Sequence, residues 1–129
     1  MRILLDTHLL LWALAAPGRI PPNTRARLES PEHQVVFSAA SIWEIAIKVR
    51  IGRLKLPLPV EEVAGAAIGT GFEELPVRAS HAAATARLPM HHRDPFDRLL
   101  VAQAVQEPAR LLTVDRRLRR YSDLVEVVV

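Results

Sequence analysis

The hydrophobic pattern divides the chain into short apolar runs that alternate with stretches of helical spacing. Ile3-Leu4-Leu5 is a buried-strand pattern ending in Asp6-Thr7, and Leu9 to Ala16 reads as the helix that follows. Ala16 to Pro22 is dense in Pro and Gly and predicts a loop. Asn23 to Leu28 predicts a short helix, stopped by Ser30-Pro31. Val35 to Ser38 is a second strand pattern. It leads into an apolar helix over Ala39–Val49, with Ser38 or Ser41 near its start and Gly52 beyond its end. Pro59 suits the start of a helix over Val60–Ile68, and Phe72–Leu75 predicts a short strand. Ala79–Leu88 is alanine-rich and predicted helical, and Pro89–Arg93 is a polar loop. In Asp94-Pro95-Phe96-Asp97, Asp94 fits a helix N-cap, Pro95 the first turn and Asp97 the position near the positive end of the dipole. That helix runs to about Gln106. Leu111–Val114 is another buried-strand pattern, ended by Asp115. A short Arg-rich helix and a last strand, Leu124–Val129, follow. Strands alternating with helices predict an α/β fold with a mostly parallel sheet covered on both faces.

A chain of 129 residues is the size of one domain with a real core. Half the residues are hydrophobic, yet no run approaches the ~20 apolar residues that span a bilayer. Asp6 and His8 interrupt the early apolar stretch, so a secretory leader is not expected, and the absence of cysteine excludes disulfides, thiol chemistry and Cys-type zinc sites. Both observations fit a cytoplasmic protein. The net charge is +3, and fifteen of the seventeen cations are arginines, which suit bidentate phosphate contacts. This balance permits a polyanionic substrate without demanding one.

The candidate chemistry lies in four acids. Asp6 and Asp115 each follow an apolar strand, and in a parallel sheet such positions share the carboxyl edge where ligands bind. Asp6 or Thr7 equally fits the N-cap of the first helix. Glu44 belongs to a polar stripe, Ser41-Glu44-Lys48, on an otherwise apolar helix; the stripe faces either water, as an i,i+4 ion pair, or a cleft. Asp97 shares a helix face with Leu100, Val101 and Ala104, which turns it inward and leaves the capping role to Asp94. Several carboxylates brought together need a counter-charge, and no lysine or histidine in these motifs is placed to supply it. A hard divalent cation would, and a cysteine-free carboxylate set suits Mg²⁺ or Mn²⁺ better than zinc.

Asp6 after the first strand, Glu44 on the apolar helix, Asp94-Pro-Phe-Asp97-Arg-Leu-Leu and Leu-Thr-Val-Asp115 together resemble the PIN-domain ribonucleases, and the length resembles the VapC toxins of type II toxin–antitoxin pairs. The resemblance spans Ile3 to the final strand. It implies a single PIN-like domain over 1–129 and a three-layer α/β/α sandwich. Carried over by position, the catalytic, metal-binding acids are Asp6, Glu44, Asp97 and Asp115, with Thr7 and Thr113 as accompanying hydroxyls. It further implies Mg²⁺- or Mn²⁺-dependent endonucleolytic cleavage of RNA, a homodimer, and a VapB-type antitoxin that covers the site. The alternatives are a non-catalytic PIN-like binding module, which would normally lack one or more of these acids, and an aspartate-based phosphotransfer domain using Asp6 or Asp115.

Four further features carry expectations. His91-His92-Arg93 is expected on a solvated loop, the alternative being contact with RNA phosphates or an acid–base role. His8 suits a helix surface as well as the cleft. Arg116 to Arg120 reads either as a solvated face or as a phosphate-gripping rim beside Asp115. Trp12 and Trp43 are expected in the core or a dimer interface.

Overall fold

The computed structural model describes residues 2–129. Five strands form one all-parallel sheet: β1 (Arg2–Leu5), β2 (Gln34–Ser38), β3 (Glu73–Leu75), β4 (Arg110–Thr113) and β5 (Val125–Val127). Their spatial order is β3-β2-β1-β4-β5. The helices are α1 (Thr7–Ala15), α2 (Pro22–Glu29), α3 (Ala39–Arg50), α4 (Val63–Gly69), α5 (Ala79–Ala84) and α6 (Pro95–Gln106).

The continuous apolar runs of β1, β2 and β4 are explained by burial on both faces. Ile3, Leu5, Val35, Phe37 and Leu112 pack with Leu9 and Leu10 of α1, Ile45 of α3 and Val63 and Ala67 of α4. Leu4, Val36 and Leu111 point the other way, against Leu100, Val101 and Ala104 of α6 and against Leu118. The result is the expected sandwich of helices, sheet and helices.

The strand order also fixes where a site can form. From β1 the chain builds outward through β2 to β3, then returns to the opposite side of β1 for β4 and β5. Right-handed crossovers then place the helices before the reversal on one face and α6 on the other. The reversal leaves a crevice at the carboxyl ends of β1 and β4, where their residues are in register at Leu5 and Leu112.

Four elements differ from the sequence expectation, the first being the helix expected over Val60–Ile68, which is a 3-10 turn over Val60–Glu62 running into α4. The Ala79–Leu88 helix is α5 followed by a 3-10 turn over Thr85–Arg87, because the Arg98 guanidinium takes the carbonyls of Thr85 and Leu88 at 2.9 and 3.3 Å. The Arg-rich stretch Arg116–Tyr121 is a 3-10 helix, capped by the Asp115 side chain and pinned by the fully buried Leu118. The last strand is only Val125–Val127, lying at the sheet edge beside β4. Gly52 ends α3 in the left-handed conformation, φ 77°, as its place after the helix predicts. Among the described residues no helix is long and apolar enough to cross a membrane.

Candidate active site

β1 delivers Asp6 into the crevice, where it is 2% exposed. Its Oδ1 accepts the backbone N–H of Leu9 at 2.8 Å, so Asp6 does cap α1. Its Oδ2 accepts the Thr113 hydroxyl at 2.7 Å and the Val114 N–H at 2.9 Å. The capping and cleft readings of Asp6 therefore coexist. Burial pushes its carboxyl pKa up, against the three hydrogen bonds and the charge of His8, which pull it down. Thr113 Oγ1 in turn accepts the Asp115 N–H at 3.0 Å, tying the ends of β1 and β4 together.

From the other side, β2 runs into α3 through Ser38, whose hydroxyl accepts the Ala40 N–H at 3.0 Å. The polar stripe of α3 turns into the crevice: Glu44 is 3% exposed, whereas Trp43 is 64% exposed. The apolar side of α3 is thus partly at the surface, and Trp43 is not a core residue. Its ring meets Phe96 edge-on at 5.3 Å. Trp12 is half-buried and lies beneath the Arg19 guanidinium at 4.5 Å. Glu44 Oε1 accepts the Thr7 hydroxyl at 2.7 Å, and Oε2 pairs with Lys48 Nζ at 2.5 Å. Lys48 therefore supplies Glu44 with a counter-charge within the crevice. The i,i+4 pair is the anticipated one, but its acid is buried rather than solvated.

α6 carries the third group. Asp94 caps it, Oδ1 accepting the N–H groups of Phe96 and Asp97 at 2.8 and 3.3 Å. Asp97, one turn in, faces the crevice as its helical register predicts. Burial pushes its carboxyl up to about 7, with the charges of Asp94, Glu44 and Asp6 acting in the same direction and a hydrogen bond from His92 opposing them.

His92 overturns the solvated-loop expectation. It is 9% exposed, and its Nε2 lies 3.0 Å from Asp97 Oδ2 and 3.3 Å from Asp115 Oδ2. The Tyr121 hydroxyl holds its backbone from both sides, accepting the N–H at 2.9 Å and donating to the C=O at 3.2 Å. Because Tyr121 lies 29 positions further along, nothing local to His91-His92-Arg93 announces this burial. Arg93 is exposed, and His91 packs against the Tyr121 ring at 5.0 Å. His8 is exposed.

Asp115, the fourth acid, meets His92 Nε2 through its Oδ2 at 3.3 Å. It caps the 3-10 helix through Arg117 N–H at 2.9 Å and accepts the Arg117 guanidinium at 3.0 and 2.9 Å. These contacts hold its carboxyl below the ordinary range. Arg116, Arg119 and Arg120 remain exposed, while Leu118 between them is buried.

The charges are unevenly matched. Glu44 has Lys48 and Asp115 has Arg117, but Asp6 and Asp97 contact no lysine or arginine, and these are the two acids whose carboxyls are pushed up. The four predicted acids do not all converge on one point. Among the described residues, one trio of possible metal donors lies within 4.8 Å of one another: His92, Asp94 and Asp97. Asp6 and Glu44 are near enough for their charges to act on Asp97. A half-buried set of two carboxylates and one imidazole, with Asp6 and Glu44 near enough to add negative charge, fits a divalent cation.

Comparisons with known proteins agree with this fold. A family model of the PIN domain matches residues 3–124. The chain is 32% identical over 124 residues to Ribonuclease VapC22 of Mycobacterium tuberculosis, covering 92% of this chain and 91% of that protein. Its fold matches a chain of the crystal structure of VapBC2 from Rickettsia felis, bound to a DNA fragment from their promoter, with TM-score 0.69, 16% identity and 98% of each chain covered. It matches the FitAcB structure from Neisseria gonorrhoeae with TM-score 0.61 and 26% identity, over 98% of this chain and 96% of that one. The chain belongs to the PIN-domain family, alongside the VapC ribonucleases.

Proposed function

We propose that this protein is a divalent-metal-dependent endoribonuclease acting as the toxin of a type II toxin–antitoxin pair. The observation that carries the reading is the pair at the topological switch point, Asp6 buried and Asp97 half-buried, neither of which contacts a lysine or arginine among the described residues. The match to a VapC ribonuclease over most of both chains supports the substrate class.

Asp6 and Asp97 would hold a Mg²⁺ or Mn²⁺ ion, with Glu44 and Asp115 completing the site or orienting water. When bound, such an ion supplies charge opposite the phosphoryl oxygens and lowers the pKa of water at the site. The residues do the rest. Thr113 and the N–H groups of Leu9 and Val114 lock the Asp6 carboxylate in one orientation. Thr7 and Lys48 do the same for Glu44, leaving it little freedom to swing towards solvent. The exposed Arg116, Arg119 and Arg120, on the helix that Asp115 caps, suit RNA phosphates approaching the site. A phosphotransfer role for Asp6 is disfavoured because, among the described residues, no lysine contacts it to grip a phosphoryl group.

We place the protein in the cytoplasm as a homodimer held inactive by a VapB-type antitoxin; the VapBC complexes among its structural relatives support such a partner. Purified protein incubated with total RNA tests the activity. Discrete cleavage with Mg²⁺ or Mn²⁺ is expected, abolished by chelator and by Asp6→Asn and Asp97→Asn variants that remain folded. Cleavage that survives in chelator, or in both variants, would overturn the reading.

A further inference from the structure

The donor trio at the mouth of the crevice contains one nitrogen, and the four-acid reading leaves it without a role. His92 is nine-tenths buried, its backbone is fixed by Tyr121, and its Nε2 points between Asp97 and Asp115 rather than towards solvent. Tyr121 is itself held, accepting Arg98 Nη1 at 3.1 Å, so the imidazole is aimed by a rigid support of Arg98, Tyr121 and the His92 main chain. Asp94 uses Oδ1 for its cap and keeps Oδ2 for another partner. An imidazole nitrogen and two carboxylates whose donor atoms lie within 4.8 Å of one another form a mixed N/O donor set, not an all-oxygen one.

We infer that His92 Nε2 is a ligand of the metal centre beside Asp97 and Asp94, and that it gives the site a preference for Mn²⁺ over Mg²⁺. The inference rests on the metal-dependent reading above and sharpens it. Mg²⁺ demands oxygen donors and near-ideal octahedral geometry, whereas imidazole suits first-row transition ions. The chemical alternative is that His92 only orients Asp97 by hydrogen bonding. An orienting contact of that kind would affect both ions alike.

The test is electron spin-echo spectroscopy of the full chain loaded with Mn²⁺, with calorimetric titration by MnCl₂ and MgCl₂. In the wild type, bound Mn²⁺ is expected to show ¹⁴N coupling, which changes to ¹⁵N coupling when the protein is labelled with ¹⁵N-histidine. In His92→Gln the coupling disappears and Mn²⁺ affinity falls about tenfold or more, while Mg²⁺ affinity changes much less. Asp97→Asn is expected to weaken both ions and serves as the control on the underlying reading. Mn²⁺ that binds the wild type without nitrogen coupling overturns the role of His92 and leaves the carboxylate centre standing. A wild type that binds no Mn²⁺ overturns both. The wild-type spectrum decides the question even if the glutamine variant folds poorly.

Discussion

Among the described residues, Asp97 and Asp6 differ from Glu44 and Asp115 in contacting no lysine or arginine, and the difference has a measurable consequence at Asp97. An aspartate whose folded-state pKa lies near 7 instead of 3.8 holds its proton more tightly folded than unfolded. Between those values the folded state binds more protons, so its stability falls as pH rises. Ionised Asp97 is therefore a destabilising charge in the metal-free protein at neutral and alkaline pH. Asp97→Asn keeps the shape and removes the charge. Chemical denaturation in chelator at pH 8 should find this variant more stable than wild type by roughly 1–3 kcal/mol, with the gain shrinking towards pH 4. Equal stability at pH 8 would show that the burial of Asp97 carries no such penalty. Asp97 was legible in the sequence because its partners at +3, +4 and +7 are apolar. His92 was not, because its burial depends on a tyrosine from a distant element. Lys48 was visible as a partner of Glu44, but which way their helix faced was not, since its apolar residues outnumber what the sheet can cover.

At the level of elements, the segment between α5 and α6 is held by one side chain. Arg98 donates to the carbonyls of Thr85, Leu88 and Pro89 and to the Tyr121 hydroxyl, at 2.9, 3.3, 2.9 and 3.1 Å. Replacing it with methionine keeps much of the aliphatic stem and removes all four bonds. We expect Arg98→Met to lose about 1–3 kcal/mol of stability. Amide hydrogen exchange should quicken over residues 85–93 while the centre of α6 stays protected. Unchanged exchange in that segment would mean that Arg98 is not its anchor. The long elements were readable because their periods are strong: α3 ends before its glycine and α6 begins at its Asp-Pro cap. The short ones were not. The break after α5 and the 3-10 form of residues 116–121 are set by Arg98 and Leu118, contacts that no local pattern encodes.

On the scale of the whole molecule, the sheet has a polar tie remote from the candidate centre. Arg2 and the buried His81 both reach Glu107, each at 2.8 Å, joining the start of β1 to α5 and the end of α6. His81 Nδ1 accepts the Arg78 N–H at 3.0 Å, so its other nitrogen carries the proton it gives to Glu107. The Arg2 hydrogen bond, and after it that of His81, holds the Glu107 carboxyl below its ordinary 4.5. The stability this gives is present above 4.5 and is lost as pH falls through the folded-state value. Glu107→Gln should cost about 1 kcal/mol at pH 7 and little below pH 4, without changing RNA cleavage. An equal loss at both pH values would point to packing rather than charge.

The centre and the tie thus depend on pH in opposite senses, and only the centre should respond to a divalent ion. The direct test is thermal unfolding of the wild type and Asp97→Asn at pH 8 and at pH 6, each with MnCl₂ and with chelator. The missing counter-charge at Asp6 and Asp97 predicts that Mn²⁺ raises the wild-type midpoint by several degrees, and more at pH 8 than at pH 6, while the variant barely moves. A wild-type midpoint indifferent to Mn²⁺, or a variant shifted as far as the wild type, would contradict the assignment of these acids as a metal centre.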